Sequence, residues 1–428
     1  MKLQKFDYQI KDNKKNKSLI VVSILLVALV VGVVLYKSFA AYKVTESYNI
    51  IKGSVAEFTN DPLMISYNLV GEDGGIMTTN EIPSNTEYEY DTIKSKCENG
   101  NTITYDKDSN TITIGDNAEG LEDTCNIYFN YIPLSKQTLY ALGLTMDDVD
   151  EENIPYGTNG TGVRGWYAAP DNYGTSYYFY NDGSDTHPII IINGYTYLII
   201  RINGNGTLRI IQDVVEGGAF QKFNNSNAYV GLMYGDTASA DYLLTHSNKN
   251  MSQRYEYYNS STHLADYISN YLGDAIFCND RTLYKEEYGE KEANDTALGT
   301  GTYITYYGPY YRFRNETPTL ICERKEDSFT TEESDIGNGL LEHSFGSLTV
   351  DELLMTNASA MQSWYTWPIG TISPAYFDGE KAYIYEYNYG YKPTDVSQGV
   401  TVNMVYNLKH GLKYTGTGNW GEEYQIVE

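Results

Sequence analysis

Two patterns of apolar residues run along this chain. One is continuous: Ser18 to Tyr36 reads SLIVVSILLVALVVGVVLY, with no charged residue. As a helix rising ~1.5 Å per residue it would be about 28 Å long, near the ~30 Å hydrocarbon core of a bilayer. Lys2, Lys5, Lys11, Lys14, Lys15 and Lys17 precede it, against Asp7 and Asp12. Basic flanks stay cytoplasmic, so the pattern predicts a single-pass plasma-membrane protein with its N terminus inside and its bulk outside. A cleavable leader is the competing expectation, because Ser38-Phe39-Ala40 puts small residues where a signal peptidase reads. Both predict export. The first cysteine is Cys97, which argues against a lipoprotein, and the chain ends GEEYQIVE without a sorting motif.

The other pattern is alternation. Thr102-Ile103-Thr104-Tyr105 and Thr111-Ile112-Thr113-Ile114 flank DKDSN, a hairpin signal, and Asn126 to Tyr131 reads as a third strand of the same small sheet. Leu134 to Leu144 has helical spacing, and DDVDEEN (147–153) reads as an acidic linker. Ile189 to Ile192 and Tyr195 to Ile202 are joined by Asn193-Gly194, a strong hairpin signal. The turn at 203–206 leads into Thr207 to Ile211, giving an antiparallel meander. Residues 263–276 carry apolar positions on one helical face. Thr349 and Glu352 form a capping box opening a short helix. Strands return at Ala382–Tyr387, Val400–Leu408 and Tyr424–Val427, so early and late strands are expected to share a sheet. The expected class is α+β. The expected organisation is a basic tail (1–17), a membrane anchor (18–36), a stalk (37–51), a small all-β spacer domain (52–131), a helix and acidic linker (132–161) and an α+β C-terminal domain (162–428).

Several stretches resemble a known group of bacterial surface domains. They are YLIIRINGNGTLRIIQD (197–213), GLMYG (231–235), LADYISNYLGDAIFCNDR (264–281), TPTLIC (317–322), GNGLLEHSFGSLTVDELLM (337–355), the stretch from Trp367 to Pro374, and VTVNMVYNLK (400–409). Together they resemble the Fibrobacter major paralogous domain, within the C-type-lectin-like fold that also contains formylglycine-generating enzymes. The late strand, Val402 to Leu408, lacks the arginine and proline of the V-R-P-V-I-N-L-like pattern of those domains. The resemblance implies a C-type-lectin-like C-terminal domain. It does not imply the enzyme's activity, because no cysteine follows Cys322. Nor does it imply calcium-dependent sugar binding, since the triplets E-P-N, Q-P-D and W-N-D do not occur.

Composition narrows the chemistry. There are 30 basic and 56 acidic residues, a net charge of −26. That argues against nucleic acid as a partner. The chain has 44 tyrosines and 38 glycines, the profile of an exported β protein. Cys97 and Cys125 lie in one region, Cys278 and Cys322 in another. Pairing within each region is expected, with buried free thiols as the alternative. His187, His246, His263, His343 and His410 sit in no metal-ligand spacing, so neither a metal nor a cofactor is expected. No catalytic constellation is evident. Asp280 and Arg281, with Arg312 or Arg314, suggest a buried ion-pair network. Trp364 and Trp367 form an aromatic cluster before Ser373-Pro374. Tyr383, Tyr385, Tyr387, Tyr389 and Tyr391 recur at period two and would share one face, either buried or available to a ligand. The expected function is non-catalytic binding or adhesion through the C-terminal domain, with a glycan or protein ligand. The alternatives are an enzyme acting on surface polysaccharide and a structural envelope component.

Overall fold

In the computed structural model, the period-two stretches of the sequence become paired strands. The structure describes residues 63–115, 123–152, 154–155, 162–183, 187–212, 220–221, 268–284, 305–341, 344–357, 369–378, 380–387, 390–401 and 404–427. All of them belong to one unit, Pro62–Glu428.

The small β region is organised by its last strand. β1 (Leu63–Val70), β2 (Ile76–Thr79), β3 (Tyr88–Tyr90) and β7 (Asp123–Tyr131) make a sheet in the order β2-β1-β7-β3, with β4 (Lys96–Cys97) also on β7. Asp123, Cys125, Ile127 and Phe129 alternate inward along β7 and are buried. β5 (Thr102–Asp106) and β6 (Thr111–Gly115) form the hairpin that the DKDSN spacing predicts. It is a separate two-stranded ribbon, however, and does not share a sheet with residues 126–131. The ribbon lays Ile103, Tyr105, Ile112 and Ile114 on the core made by Leu69, Ile127 and Phe129. Cys97 faces Cys125 across the β4–β7 pair and is bonded to it; Cys278 is bonded to Cys322. The expected pairing within each region is therefore observed.

The larger region begins with α1 (Leu134–Ala141), whose Leu139 is buried in the main core. The acidic stretch that follows is not all linker. After one turn at Met146–Asp148, β8 (Val149–Asp150) pairs parallel with β9 (Gly165–Asp171). Next come β10 (Gly174–Tyr180), β11 (Ile189–Ile192), β12 (Tyr195–Ile202) and β13 (Leu208–Gln212). Asn193 and Gly194 take φ of 52° and 86° between β11 and β12, the left-handed pair that a two-residue hairpin of this type requires. β13 pairs with β24 (Val405–Leu408), and β11 with β26 (Tyr424–Val427), which also holds β25 (Lys413–Thr415). Early and late strands thus share one ten-stranded sheet, closed at one side by β19 (Phe345–Gly346). β12 is buried on both faces from Tyr197 to Ile202, as a continuous apolar run demands.

A second sheet has seven strands. Its main path is β14 (Phe220–Gln221), β23 (Val400–Thr401), β20 (Ile369–Phe377), β17 (Thr305–Tyr307) and β16 (Leu283–Tyr284); β21 (Ala382–Tyr387) pairs with β20, and β22 (Tyr391–Asp395) with β21. β15 (Phe277–Cys278) and β18 (Ser328–Phe329) form a short ribbon. Two helices lie against these strands, α2 (Gly308–Asn315) and α3 (Val350–Thr356). The Thr349–Glu352 capping box opens α3 as expected.

Three expectations are corrected. The fold is mostly β rather than α+β. Part of the reason lies at 268–276, where a single 3-10 turn at Ser269–Tyr271 gives way to extended chain, so the apolar spacing there does not mark a helix through Ile276. Residues 263–267 lie outside the described residues. The single-pass plasma-membrane placement, N terminus inside, is also overturned. Among the described residues no helix is long and apolar enough to cross a membrane. The longest has eight residues, about 12 Å against the ~30 Å a bilayer core requires. Ser18 to Tyr36, on which the membrane expectation rested, lies outside the described residues, as do the tail and stalk.

Candidate functional site

Asp280 and Arg312, two of the charged residues singled out by sequence, line a cavity with Arg201, Arg209, Asp351 and Glu352, which sequence alone did not mark as a charged cluster. Arg201 and Arg209 sit directly opposite each other on β12 and β13. Two like charges at such a position repel, and both are buried, so an anion between them is required. Glu352 supplies it from the first turn of α3. Its Oε1 accepts from Arg201 Nε at 3.1 Å and from Arg209 Nη1. Its Oε2 accepts from the Thr349 amide at 2.9 Å, completing the capping box. Burial alone would raise the Glu352 carboxyl, but Arg209, Arg201 and the Thr349 amide outweigh it and hold it at about 2. Arg201 also reaches Asp171 at 3.2 Å, and Arg209 Nε donates to Asn407 Oδ1 at 3.0 Å.

A second cluster adjoins the first. Arg312 on α2 forks onto Asp351, with Nε and Nη2 at 2.7 and 2.9 Å, and its Nη1 reaches Asp280 at 2.6 Å. Burial pulls the Arg312 guanidinium down; Asp351 and Asp280 overcome that and push it up. Arg281 pairs with buried Asp327. Of the predicted network, Asp280 and Arg312 pair with each other and Arg281 pairs with Asp327 instead, whereas Arg314 points elsewhere, its Nη1 donating to the Tyr310 hydroxyl at 3.2 Å. The cavity among Asp171, Tyr173, Arg201, Arg312 and Glu352 has a volume of about 20 Å³, room for roughly one water. Each carboxylate here is already engaged by a guanidinium. These ion pairs fasten α3 to the ten-stranded sheet and α2 to α3, and the cavity between them has room for little more than a water.

The tyrosine-rich strands offer a more open arrangement. Tyr306 on β17 lies opposite Tyr376 on β20, which packs against Tyr383 on β21. The three rings form a row across three adjacent strands. Tyr376 and Tyr383 stack at 4.6 Å with 26° between their planes, and Tyr306 is 5.8 Å from Tyr376. Tyr310 on α2 completes the group, 4.7 Å from Tyr306 and 5.7 Å from Tyr376. All four rings are half-buried. Charged groups stand at the two ends of this shelf. Exposed Arg314 lies over the Tyr310 ring at 5.6 Å. The Tyr383 hydroxyl donates to Asp378 Oδ2 at 3.1 Å. Burial, with that bond, pushes the Tyr383 hydroxyl up to about 12.

The expected five-tyrosine face is divided by this geometry. Tyr383 belongs to the shelf. Tyr385 is buried beneath Phe313 of α2, with ring centroids 4.9 Å apart. Tyr387 is buried against Tyr391 at 4.7 Å, and the half-buried Tyr391 donates its hydroxyl to Leu353 O at 3.0 Å. β21 ends at Tyr387 and the chain turns back, so Tyr391 lies on the neighbouring strand and does not continue the same one. Tyr389, Trp364 and Trp367 lie outside the described residues. Sequence periodicity missed Tyr306, Tyr310 and Tyr376, because they join Tyr383 only through the β17–β20–β21 pairing.

Among the described residues, no histidine is poised for chemistry at either cluster. His187 is fully buried against Phe179, and burial followed by nearby Arg164 lowers it to about 3, so it is neutral. His410 is lowered by burial too. The three remaining histidines lie outside the described residues. Comparison with protein families, curated proteins and solved structures gives no match, so the reading of this chain rests on the arrangement of its own residues.

Proposed function

We propose that this protein is a non-catalytic binding protein that takes a glycan on the shelf formed by Tyr306, Tyr310, Tyr376 and Tyr383. One observation carries the reading: four half-buried tyrosines meet on one surface, three of them in register across adjacent strands. Tyrosine presents a rigid apolar body with a polar tip, so a row of them pairs with the mixed C–H and hydroxyl surface of a sugar at small entropic cost. Two inter-strand spacings give the row a length of about 10 Å, suited to a short stretch of oligosaccharide. Arg314 and Asp378 stand at its ends as donor and acceptor for sugar hydroxyls.

The experiment is a glycan array with the full chain, followed by titration of the best ligand. Saturable binding is expected, with Tyr376→Ala and Tyr383→Ala each weakening it at least about tenfold, a loss typical of an aromatic anchor. Absence of any saturable glycan binding would remove the reading, as would unchanged affinity in both variants. Binding to a protein array alone would reassign the shelf to a protein ligand, and turnover of a bound polymer would favour an enzyme.

A further inference from the structure

The tip of the β25–β26 hairpin holds out a tryptophan. Trp420 is 72% exposed, an unusual position for the largest apolar side chain. The tip around it is tightly built. Thr417 and Gly418 both donate their amides to Glu422 O, at 2.8 and 3.0 Å, and the Glu422 amide returns a bond to Asn419 O at 2.9 Å. The Ile189 amide donates to Gly418 O at 2.8 Å and ties the tip to β11. Gly418, at φ +77°, packs so closely on Tyr424 that a Cβ there would lie 2.4 Å from its ring. The indole therefore rides on fixed backbone.

The two residues after the turn are acidic, and both are oriented. Glu422 Oε2 accepts from Thr417 Oγ1 at 3.1 Å, and Glu423 Oε1 accepts from the Gly421 amide at 2.8 Å. Glu422 is exposed and Glu423 partly so, and the Glu423 carboxylate is also held by its own amide. An exposed indole two and three residues before two oriented carboxylates on one hairpin tip is complementary to a guanidinium or ammonium group, which gains from the ring and the charges together. The tip is convex. A small cation would meet it from one side only, so the partner must supply the enclosing surface, and a macromolecule is required.

We infer that the β25–β26 tip is a recognition prong for a basic segment of a partner protein, with Trp420 as its anchor and Glu422 and Glu423 as its charge contacts. This inference is independent of the tyrosine shelf. The overall negative charge of the chain favours the encounter but gives no specificity, so the test must separate the prong from diffuse attraction.

The probe is a fluorescein-labelled octa-arginine peptide, its binding to the full chain followed by anisotropy at physiological ionic strength. Trp420→Ala keeps the net charge and is expected to weaken binding about tenfold, the effect of a desolvated cation–π contact. Glu422→Gln with Glu423→Gln is expected to weaken it several-fold. The control, Glu72→Gln with Asp73→Asn on the β1–β2 turn, removes the same charge elsewhere and should cost less than about twofold. Melting temperatures check that the variants stay folded, and the carboxylate variant provides a second reading should Trp420→Ala unfold. The proposal is overturned if the wild-type chain does not bind, if Trp420→Ala binds as wild type, or if the control loses as much as the Glu422 and Glu423 variant. It is also overturned if free arginine amide competes as well as the peptide, since the partner would then need no extended segment.

Discussion

Glu352→Gln tests whether one carboxylate fastens α3 to the ten-stranded sheet. The substitution keeps the shape of the side chain and the acceptor for the Thr349 amide, but removes the charge between Arg201 and Arg209. Those arginines are 6% and 1% exposed and face each other on paired strands. Without the anion, Arg209 keeps only neutral partners, Asn407 and the Ile276 carbonyl, and Arg201 keeps Asp171. Removing one partner of a buried ionic group costs ~3–5 kcal/mol. The pH dependence gives a second route to the magnitude. Glu352 is held at about 2 in the folded chain against an ordinary value of 4.5, a gap worth on the order of 3 kcal/mol. Because the folded value is the lower one, this stability is fully present above pH ~4.5 and is lost as pH falls towards ~2. Urea denaturation of wild type and variant at pH 7 should show a difference of about 3 kcal/mol or more. The difference should shrink by roughly 1.4 kcal/mol for each pH unit below ~4.5, whatever the other carboxylates do in both proteins. A gap below about 1 kcal/mol at pH 7, or one that does not narrow in acid, would refute the assignment of Glu352 as the central anion.

The remaining predictions concern the tyrosines, the helix above them and the small β region. Tyr385→Ser should cost ~3–5 kcal/mol in thermal or urea melts, because Tyr385 is buried under Phe313; the same change at half-buried Tyr383 should cost about 1 kcal/mol or less and act on binding instead. Arg312→Lys keeps the charge but loses the fork onto Asp351 and Asp280. Faster hydrogen exchange at residues 308–316 and weaker glycan binding should follow, with the exchange of β12 unchanged. Replacing Cys97 and Cys125 together by serine opens a link across 28 residues and should lower stability by ~2–4 kcal/mol. Exchange mass spectrometry should place the loosening in β1–β7, and protection unchanged there would count against that disulfide as the staple of a thin core.

What the sequence made legible was local. The Asn193-Gly194 hairpin, the β5–β6 hairpin, the capping box at Thr349 and the helix expected over 134–144, which ends at Ala141, each depend on residues a few positions apart, and each is present. The sharing of a sheet by early and late strands followed from chain order and is also observed. What could not be read was set by distant pairing. Apolar spacing over 263–276 matched a helical face, yet Leu272 bridges to Leu408 and Gly273 donates to Asn407 O at 2.8 Å. Those backbone bonds to β24 hold residues 272 and 273 out of helix. The capping box was legible as a helix start, but nothing in T-x-x-E shows that its glutamate is buried between two arginines from strands about 150 residues earlier.

The second ion-pair cluster and the tyrosine shelf have a common dependence on α2. That helix has eight residues, too few to persist alone, since isolated helices below ~12–15 residues are marginal. No side chain caps its N terminus. Its stability must come from tertiary contacts, and these lie on two sides. Arg312 fastens it to Asp351 and Asp280, and Phe313 packs it on Tyr385 and Tyr391. Tyr310 and Arg314, one helical turn apart, are left on the side that meets the shelf. Buried ion pairs contribute little net stability for their desolvation, but they fix geometry, because breaking one leaves an uncompensated charge. A chain that only needed a core could fill this cleft with leucine. Placing a fork of charges beneath a short helix instead holds Tyr310 at a set distance from Tyr306 and Tyr376, and a rigid aromatic surface loses less entropy when it binds.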